Sequence, residues 1–195
     1  VVVEPLSLLP ILAGLTEGAD DAYRRRMSWK AVGLSAAVCL VFAAVGSGLL
    51  ELLGITVHAF KVGGGILLFL LAIEMVFARP SGVRSITPGE DAEAHHRGDI
   101  SVFPLAFPLI SGPGALAVIL LAFVGVPMAS LQFVAQIAVI LLVLAITLGL
   151  MLMTGPVMRV VGVTGGAVLG RLLGVLLAAL ASQFVMDGVR GAMAA

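Results

Sequence analysis

Residues 103–123 read Phe-Pro-Leu-Ala-Phe-Pro-Leu-Ile-Ser-Gly-Pro-Gly-Ala-Leu-Ala-Val-Ile-Leu-Leu-Ala-Phe and carry no charge. The run is long enough to cross a bilayer core of roughly 30 Å. Three prolines, Pro104, Pro108 and Pro113, interrupt it, and Gly112 and Gly114 flank the last of them. Beyond a helix's first turn, a proline deletes a backbone donor and collides with the carbonyl four residues back. Hydrocarbon cannot satisfy the groups set free, so a span broken this way has to face protein or a water-filled cavity. Residues 108–114 therefore read as the edge of a binding site.

The surrounding chain supports a membrane setting. Of 195 residues, 61% are hydrophobic and only 11% charged, whereas a soluble domain sits near half apolar and about a quarter charged. The chain reads as an integral membrane protein, and its net charge of zero gives no basic footprint for nucleic acid. The lone cysteine, Cys39, excludes a disulfide within the chain and reads as a buried, inert thiol. The first residues lack the basic start of a signal peptide. They are apolar from Val1 onward, which leaves open a helix begun further upstream.

Hydropathy and punctuation divide the chain into six spans. Residues 1–15 hold Pro5 and Pro10 and are short for a span. A polar loop and basic helix start follow at 16–30, then spans at 31–50 and 57–77 around a turn at Gly54. Residues 78–99 form the long polar segment, with three arginines, four acids and His95-His96. The broken span covers 100–123; spans at 132–153 and 168–186 complete the set, with a glycine-rich loop at 154–166 between them.

Three short patterns recur in the same order: Glu4-Pro5-Leu6 and Pro10 with Phe103-Pro104-Leu105 and Pro108; Gly54-Ile55-Thr56 with Gly162-Val163-Thr164; and Lys61-Val62-Gly63-Gly64 with Arg171-Leu172-Leu173-Gly174. Two copies of a three-span unit enter the membrane from opposite sides, the plan of many secondary transporters. The expected fold is an all-α membrane protein of six transmembrane helices in two inverted three-helix repeats, the first and fourth helices broken. The halves are 1–77 and 100–195, joined by a cytoplasmic linker at 78–99. Basic residues cluster in the first, third and fifth loops, which places those loops in the cytoplasm and both termini outside. On a rise of about 1.5 Å per residue, both proline breaks fall near the midplane.

The chemistry of such a break suits a small zwitterion. Pro113 fits the first position of a restarted helix with Gly112 as its cap. The amides of Gly114, Ala115 and Leu116 then face the gap and suit a carboxylate. Carbonyls freed by proline, those of Leu6 and Leu109, and the hydroxyls of Ser7 and Ser111 can accept from an ammonium. Gly112, Gly114 and Ala115 leave room for close backbone approach. A plain kink, its freed groups satisfied by neighbouring helices, is the competing account.

The motif from Pro104 to Ala115, the glycine run at 63–65 and Arg171 to Gly174 with Gln183 are similar to the MarC family of bacterial inner-membrane proteins. The likeness covers nearly the whole chain. The first motif departs, with Glu4-Pro5 and Ser7 where the family has Asp-Pro or Asn-Pro followed by Gly. The resemblance implies a six-span inverted-repeat fold, distantly related to lysine-exporter-type carriers, and transport of small neutral amino acids such as glycine and alanine. The expected substrate contacts are Glu4, Pro5, Leu6, Ser7, Pro10, Pro108, Leu109, Ser111, Gly112, Pro113, Gly114 and Ala115.

Glu4 is the carboxylate expected near the midplane, where an acid is costly and functional by default; a start at the outer surface is its other placement. With Lys61 and Arg171, which hold equivalent repeat positions, it is assigned to coupling or gating. Both basic residues also suit interfacial snorkelling. Glu74 reads as an interface charge, His58 as polar surface, and the glycines at 63–65 as a close-packing device. His95-His96 lack companion ligands, so no metal and no cofactor are expected. An enzyme is not expected, since Ser111 has no spanning histidine partner. A metal-ion or other small-solute carrier or channel is the alternative function. The expected partners are the amino acid, a coupling ion (proton or sodium) and lipid, with homo-oligomerisation left open.

Overall fold

A computed structural model describes Val3 and residues 5–16, 18–77 and 99–194. Glu4 and the segment 78–98, with Arg79, Arg84, Arg97, His95 and His96, lie outside the described residues, as does most of the expected linker.

Helix α1 spans Pro5–Leu15 and opens on the proline, a residue suited to a first turn because its missing amide is unpaired there anyway. It closes at Thr16, whose hydroxyl donates to the Leu12 carbonyl at 2.7 Å. Helix α2, Asp21–Leu52, is capped by Asp20, which accepts from the Tyr23 amide at 2.8 Å. Gly54, at φ 66°, lets the chain reverse after it, while the Ile55 amide donates back to Leu50. Helix α3, Val57–Phe77, keeps the bounds expected of it, with Thr56 accepting from the Ala59 amide at its start.

The broken span resolves into α4, Ser101–Ile110, and α5, Pro113–Phe123, bent by 54°. Helix α6 is Leu131–Leu152, capped by Ser130, and α7 is Thr154–Ala194, kinked at Gly162 (φ 64°, ψ 176°). The loop expected at 154–166 is thus largely helix. Pro156 sits in the first turn, where proline costs little, and Gly162 alone absorbs the reversal. The expected end at Met186 also falls short, since α7 continues through Asp187 and Arg190.

Every described element is helical apart from turns. Four helices are long and apolar enough to cross a membrane, and the α4–α5 pair counted as one bent span makes five. With eleven residues, α1 reaches about 16 Å, half of a bilayer core.

The turns sort to two ends of the bundle. At one end, Arg24 of α2 bonds to Thr16 beyond α1, Lys30 pairs with Asp99 before α4, and Arg24, Arg25 and Arg159 line one cavity. The turns around Gly54 and Gly125 belong to the other end. We call these the basic end and the plain end. Helices α3 and α7 run antiparallel in close contact. A side chain at Gly65 would come within 2.9 Å of the Ala181 carbonyl, and one at Gly188 within 2.8 Å of the His58 carbonyl. Glycines bring the two backbones together, as packing inside a membrane requires. Of the run at 63–65, Gly65 makes this seam, Gly64 is buried against Leu121 of α5, and Gly63 faces open space.

Three apolar clusters follow from this layout. Leu8, Leu9 and Leu12 of α1 pack with Leu105, Leu109 and Ile110 of α4 at the basic end. Leu68, Leu71 and Ala72 of α3 meet Leu121, Leu177 and Ala181. Cys39 and Ala43 of α2 meet Ile119 and Phe123 of α5.

Candidate functional site

The geometry of the break begins with two Phe-Pro pairs. A proline pushes its predecessor towards extended backbone. Phe103 (φ −128°, ψ 129°) and Phe107 (φ −132°, ψ 129°) both obey, so α4 advances in wide, irregular turns. At its base the Asp99 carboxylate accepts from the amide and hydroxyl of Ser101. Lys30 donates to the same carboxylate at 2.7 Å. Those bonds hold the Asp99 carboxyl down at about 2, below the usual carboxylate range, with the Lys30 bond the largest cause.

At the top of α4 the Ala106 carbonyl gathers three donors: the Ser111 amide at 2.8 Å, the Ser111 hydroxyl at 2.8 Å and the Ser35 hydroxyl of α2 at 3.4 Å. Ser111 is fully buried. Gly112 then turns the chain in extended conformation and Pro113 opens α5, the cap and first position expected of them. A side chain at Gly112 would stand 2.1 Å from the Pro108 carbonyl, so this glycine is demanded by the fold itself. No side chain caps α5. Its first intrahelical bond runs from Leu116 to the Gly112 carbonyl at 3.1 Å. Leu116 is therefore withdrawn from the set of amides expected to face the gap, leaving those of Gly114 and Ala115, both buried residues.

The start of α1 reaches the same depth. Val3 and Ala115 line one small cavity of about 160 Å³ with Cys39, Ile140 and Leu144. Its lining is apolar, so it has room for a small side chain, and charged groups of a ligand have to be met by the backbone at the bend. The Leu6 carbonyl, which Pro10 deprives of its helical partner, faces α7, 3.7 Å from where a side chain on Gly166 would stand. Pro5, Leu6 and Pro10 are half-buried on α1; Leu109 is buried in the shared cluster, and Pro108 and Pro113 are half-buried at the bend. The structure thus brings the two proline-marked segments to one region of the bundle.

It does not bring Lys61 and Arg171 there. Lys61 lies in the first turns of α3, beside the residues that meet Gly188 and Gly191, and Arg171 lies a turn before Gly174, which meets Met75 and Val76. They occupy opposite ends of the α3–α7 pair. Two other readings are corrected. Glu74 is buried because α3 turns that face inward. His58 is half-buried against Gly188 and Gly191, and its Nδ1 has no hydrogen-bond partner among the described residues. Ser35, Val3 and Cys39 enter the site without having been expected. Ser35 is one of several hydroxyls along α2, with Ser28 and Ser47, so nothing local marks it, and a cavity wall of Val and Ile leaves no signal either.

Four long apolar helices, a fifth that bends at a buried break, and glycine-mediated packing define a multi-pass α-helical integral membrane protein. The chain belongs to the MarC family of integral membrane proteins, whose family model matches residues 1–193. It is 33% identical over 192 residues to the UPF0056 membrane protein MJ1677 of Methanocaldococcus jannaschii, covering 98% of this chain and 92% of that one. It is 32% identical to the UPF0056 membrane protein YvbG of Bacillus subtilis, covering 97% and 90% of the two chains. It is 30% identical to the UPF0056 inner membrane protein YhgN of Escherichia coli K12, covering 97% and 91%. No solved structure matches the chain.

Proposed function

We propose that the protein is a secondary carrier of small neutral amino acids, glycine or alanine, and not an enzyme. Residues 1–77 and 100–195 act as inverted halves that rock about a site at the α4–α5 break, with α1 as the sixth, half-length span. The basic end faces the cytoplasm and both termini the outside, in a cytoplasmic membrane. Lys61 and Arg171 anchor opposite membrane interfaces.

The observation that carries this reading is the start of α5. It is a helix N-terminus buried inside a membrane bundle, without a side-chain cap, beside a cavity sized for a small ligand. Buried amides without partners are costly, and a carboxylate satisfies both the amides and the helix dipole. Glu4, outside the described residues, is assigned the role of ammonium partner or proton carrier from its sequence alone, as an acid in an apolar segment. Sodium is the other coupling ion to test.

The test is uptake of radiolabelled glycine and alanine into proteoliposomes, with and without a pH gradient. Saturable uptake competed by unlabelled alanine is expected. Gly114→Val should reduce it at least tenfold while the protein keeps its gel-filtration profile, because bulk at the second position of α5 blocks backbone approach. Glu4→Gln should remove dependence on the gradient. Uptake by Gly114→Val at the normal rate, or competition by divalent cations in place of alanine, would overturn the assignment.

A further inference from the structure

At the basic end, apart from the broken span, a second and larger cavity of about 490 Å³ opens between the first turns of α2 and the junction of α6 with α7. Arg24, Arg25 and Arg159 line it, with Asp21 as its carboxylate. Met151 and Leu152 add apolar surface to its lining.

The three guanidiniums are not equivalent. Arg24 is committed: it donates to Asp21 at 3.0 Å and to the Thr16 hydroxyl at 3.2 Å, which fixes its position. Arg25 and Arg159 are exposed and form no ion pair among the described residues. They come from segments far apart in sequence and converge on one cavity. Three guanidiniums against the one carboxylate of Asp21 leave the described lining net positive. Guanidinium forks match oxyanions bidentately.

The surroundings fix its depth. Trp29, more than half exposed, stands one helical turn beyond Arg25 on the same face of α2. Exposed tryptophan marks the headgroup level of a bilayer. Leu152, Met153 and Val160 carry the apolar surface on beside the cavity. Guanidiniums beside exposed apolar surface at this level have the layout of a headgroup site.

We infer that Arg25 and Arg159, with Arg24 held in place by Asp21 and Thr16, form a binding site for a phosphate-bearing anion at the basic end of the bundle. The same oxyanion chemistry serves the phosphate of an anionic phospholipid or free phosphate, and the experiment separates the two.

Trp29 is the sole tryptophan and reports on its own face of α2. The full chain in detergent micelles is titrated with brominated phosphatidylglycerol, brominated phosphatidylcholine and, separately, inorganic phosphate. Trp29 quenching and thermal unfolding are followed for the wild type and Arg25→Gln/Arg159→Gln. Quenching by phosphatidylglycerol at a several-fold lower mole fraction than by phosphatidylcholine, with the preference lost in the double variant, establishes the site with lipid as its source. The loss corresponds to roughly tenfold or more in affinity for two arginines. A rise in unfolding temperature with inorganic phosphate in the wild type alone, and no lipid preference, establishes the site with free phosphate as its source. Arg190→Gln, at the far end of α7, should leave either response unchanged. Should the double variant not fold, Arg159→Gln alone should weaken the response several-fold. The same response in wild type and variants, or no response in folded wild type, overturns the assignment.

Discussion

Asp99 ties two elements together: it accepts from Lys30 of α2 and from Ser101 at the base of α4. Its carboxyl titrates at about 2 in the folded protein and near 3.9 in an unfolded chain. A depressed folded value means the tether contributes fully above about pH 4 and is lost as pH falls towards 2. Asp99→Asn should lower the unfolding temperature slightly at neutral pH, an exposed pair being worth at most about 1 kcal/mol. The gap between variant and wild type should shrink steadily as pH falls from about 4 to about 2; a gap as wide at pH 2 as at pH 7 would mean the carboxylate is not responsible. The residues of the break were legible one by one, since Pro113, Gly112 and the glycines have few other uses in an apolar run. Ser35 was not, because its contribution depends on α2 crossing α4 at Ala106, a contact between residues distant in sequence.

Among the elements, α3 was legible to the residue: a threonine cap opens it and a mainly apolar run, interrupted by Lys61 and Glu74, carries it to Phe77. Helix α7 was not, because Pro156 and four nearby glycines imitate a loop and only the observed backbone distinguishes one hinge at Gly162 from several. The double irregularity of α4 was likewise hidden. Its prolines announced a break, but two Phe-Pro pairs four residues apart make one at each. The α3–α7 seam makes a sharp demand on its glycines. Gly65→Ala puts a methyl within 3.0 Å of backbone atoms at 181 and 185, so the helices must separate. We expect a loss of about 1–3 kcal/mol, visible as a lower unfolding temperature, whereas Gly63→Ala, facing open space, should be neutral. Equal effects of the two would show that the seam is not set by these contacts.

At the scale of the molecule, the described turns sort to two ends, and the basic residues of loops one and five share one of them. Hydropathy and charge made this parity legible in advance; they could not supply the bend of 54°, which depends on what α1 and α2 press against. The proposed orientation makes a direct prediction. In a Cys39→Ser background, a membrane-impermeant maleimide added to intact cells should label Glu51→Cys and Met128→Cys, both at the plain end, and should spare Arg26→Cys until the membrane is opened. Labelling of Glu51→Cys and Met128→Cys from opposite sides would dismantle the two-ended layout, and labelling of Arg26→Cys alone would invert it.

The two prolines within α4 leave its ten residues with ten carbonyls and eight amides. Immediately beyond, α5 begins with amides that precede its first intrahelical bond. The bent span is therefore polarised in its hydrogen-bonding capacity, with acceptors in surplus on one side of the bend and donors on the other. On the proposed function, an occupant that carries both an acceptor and a donor balances the two surpluses at once. A free carboxylic acid or a simple amine balances one and leaves the other exposed. Selectivity for α-amino acids over their deaminated or decarboxylated relatives would then rest on the backbone as well as on Glu4, and no single side-chain substitution would transfer it whole to a different substrate.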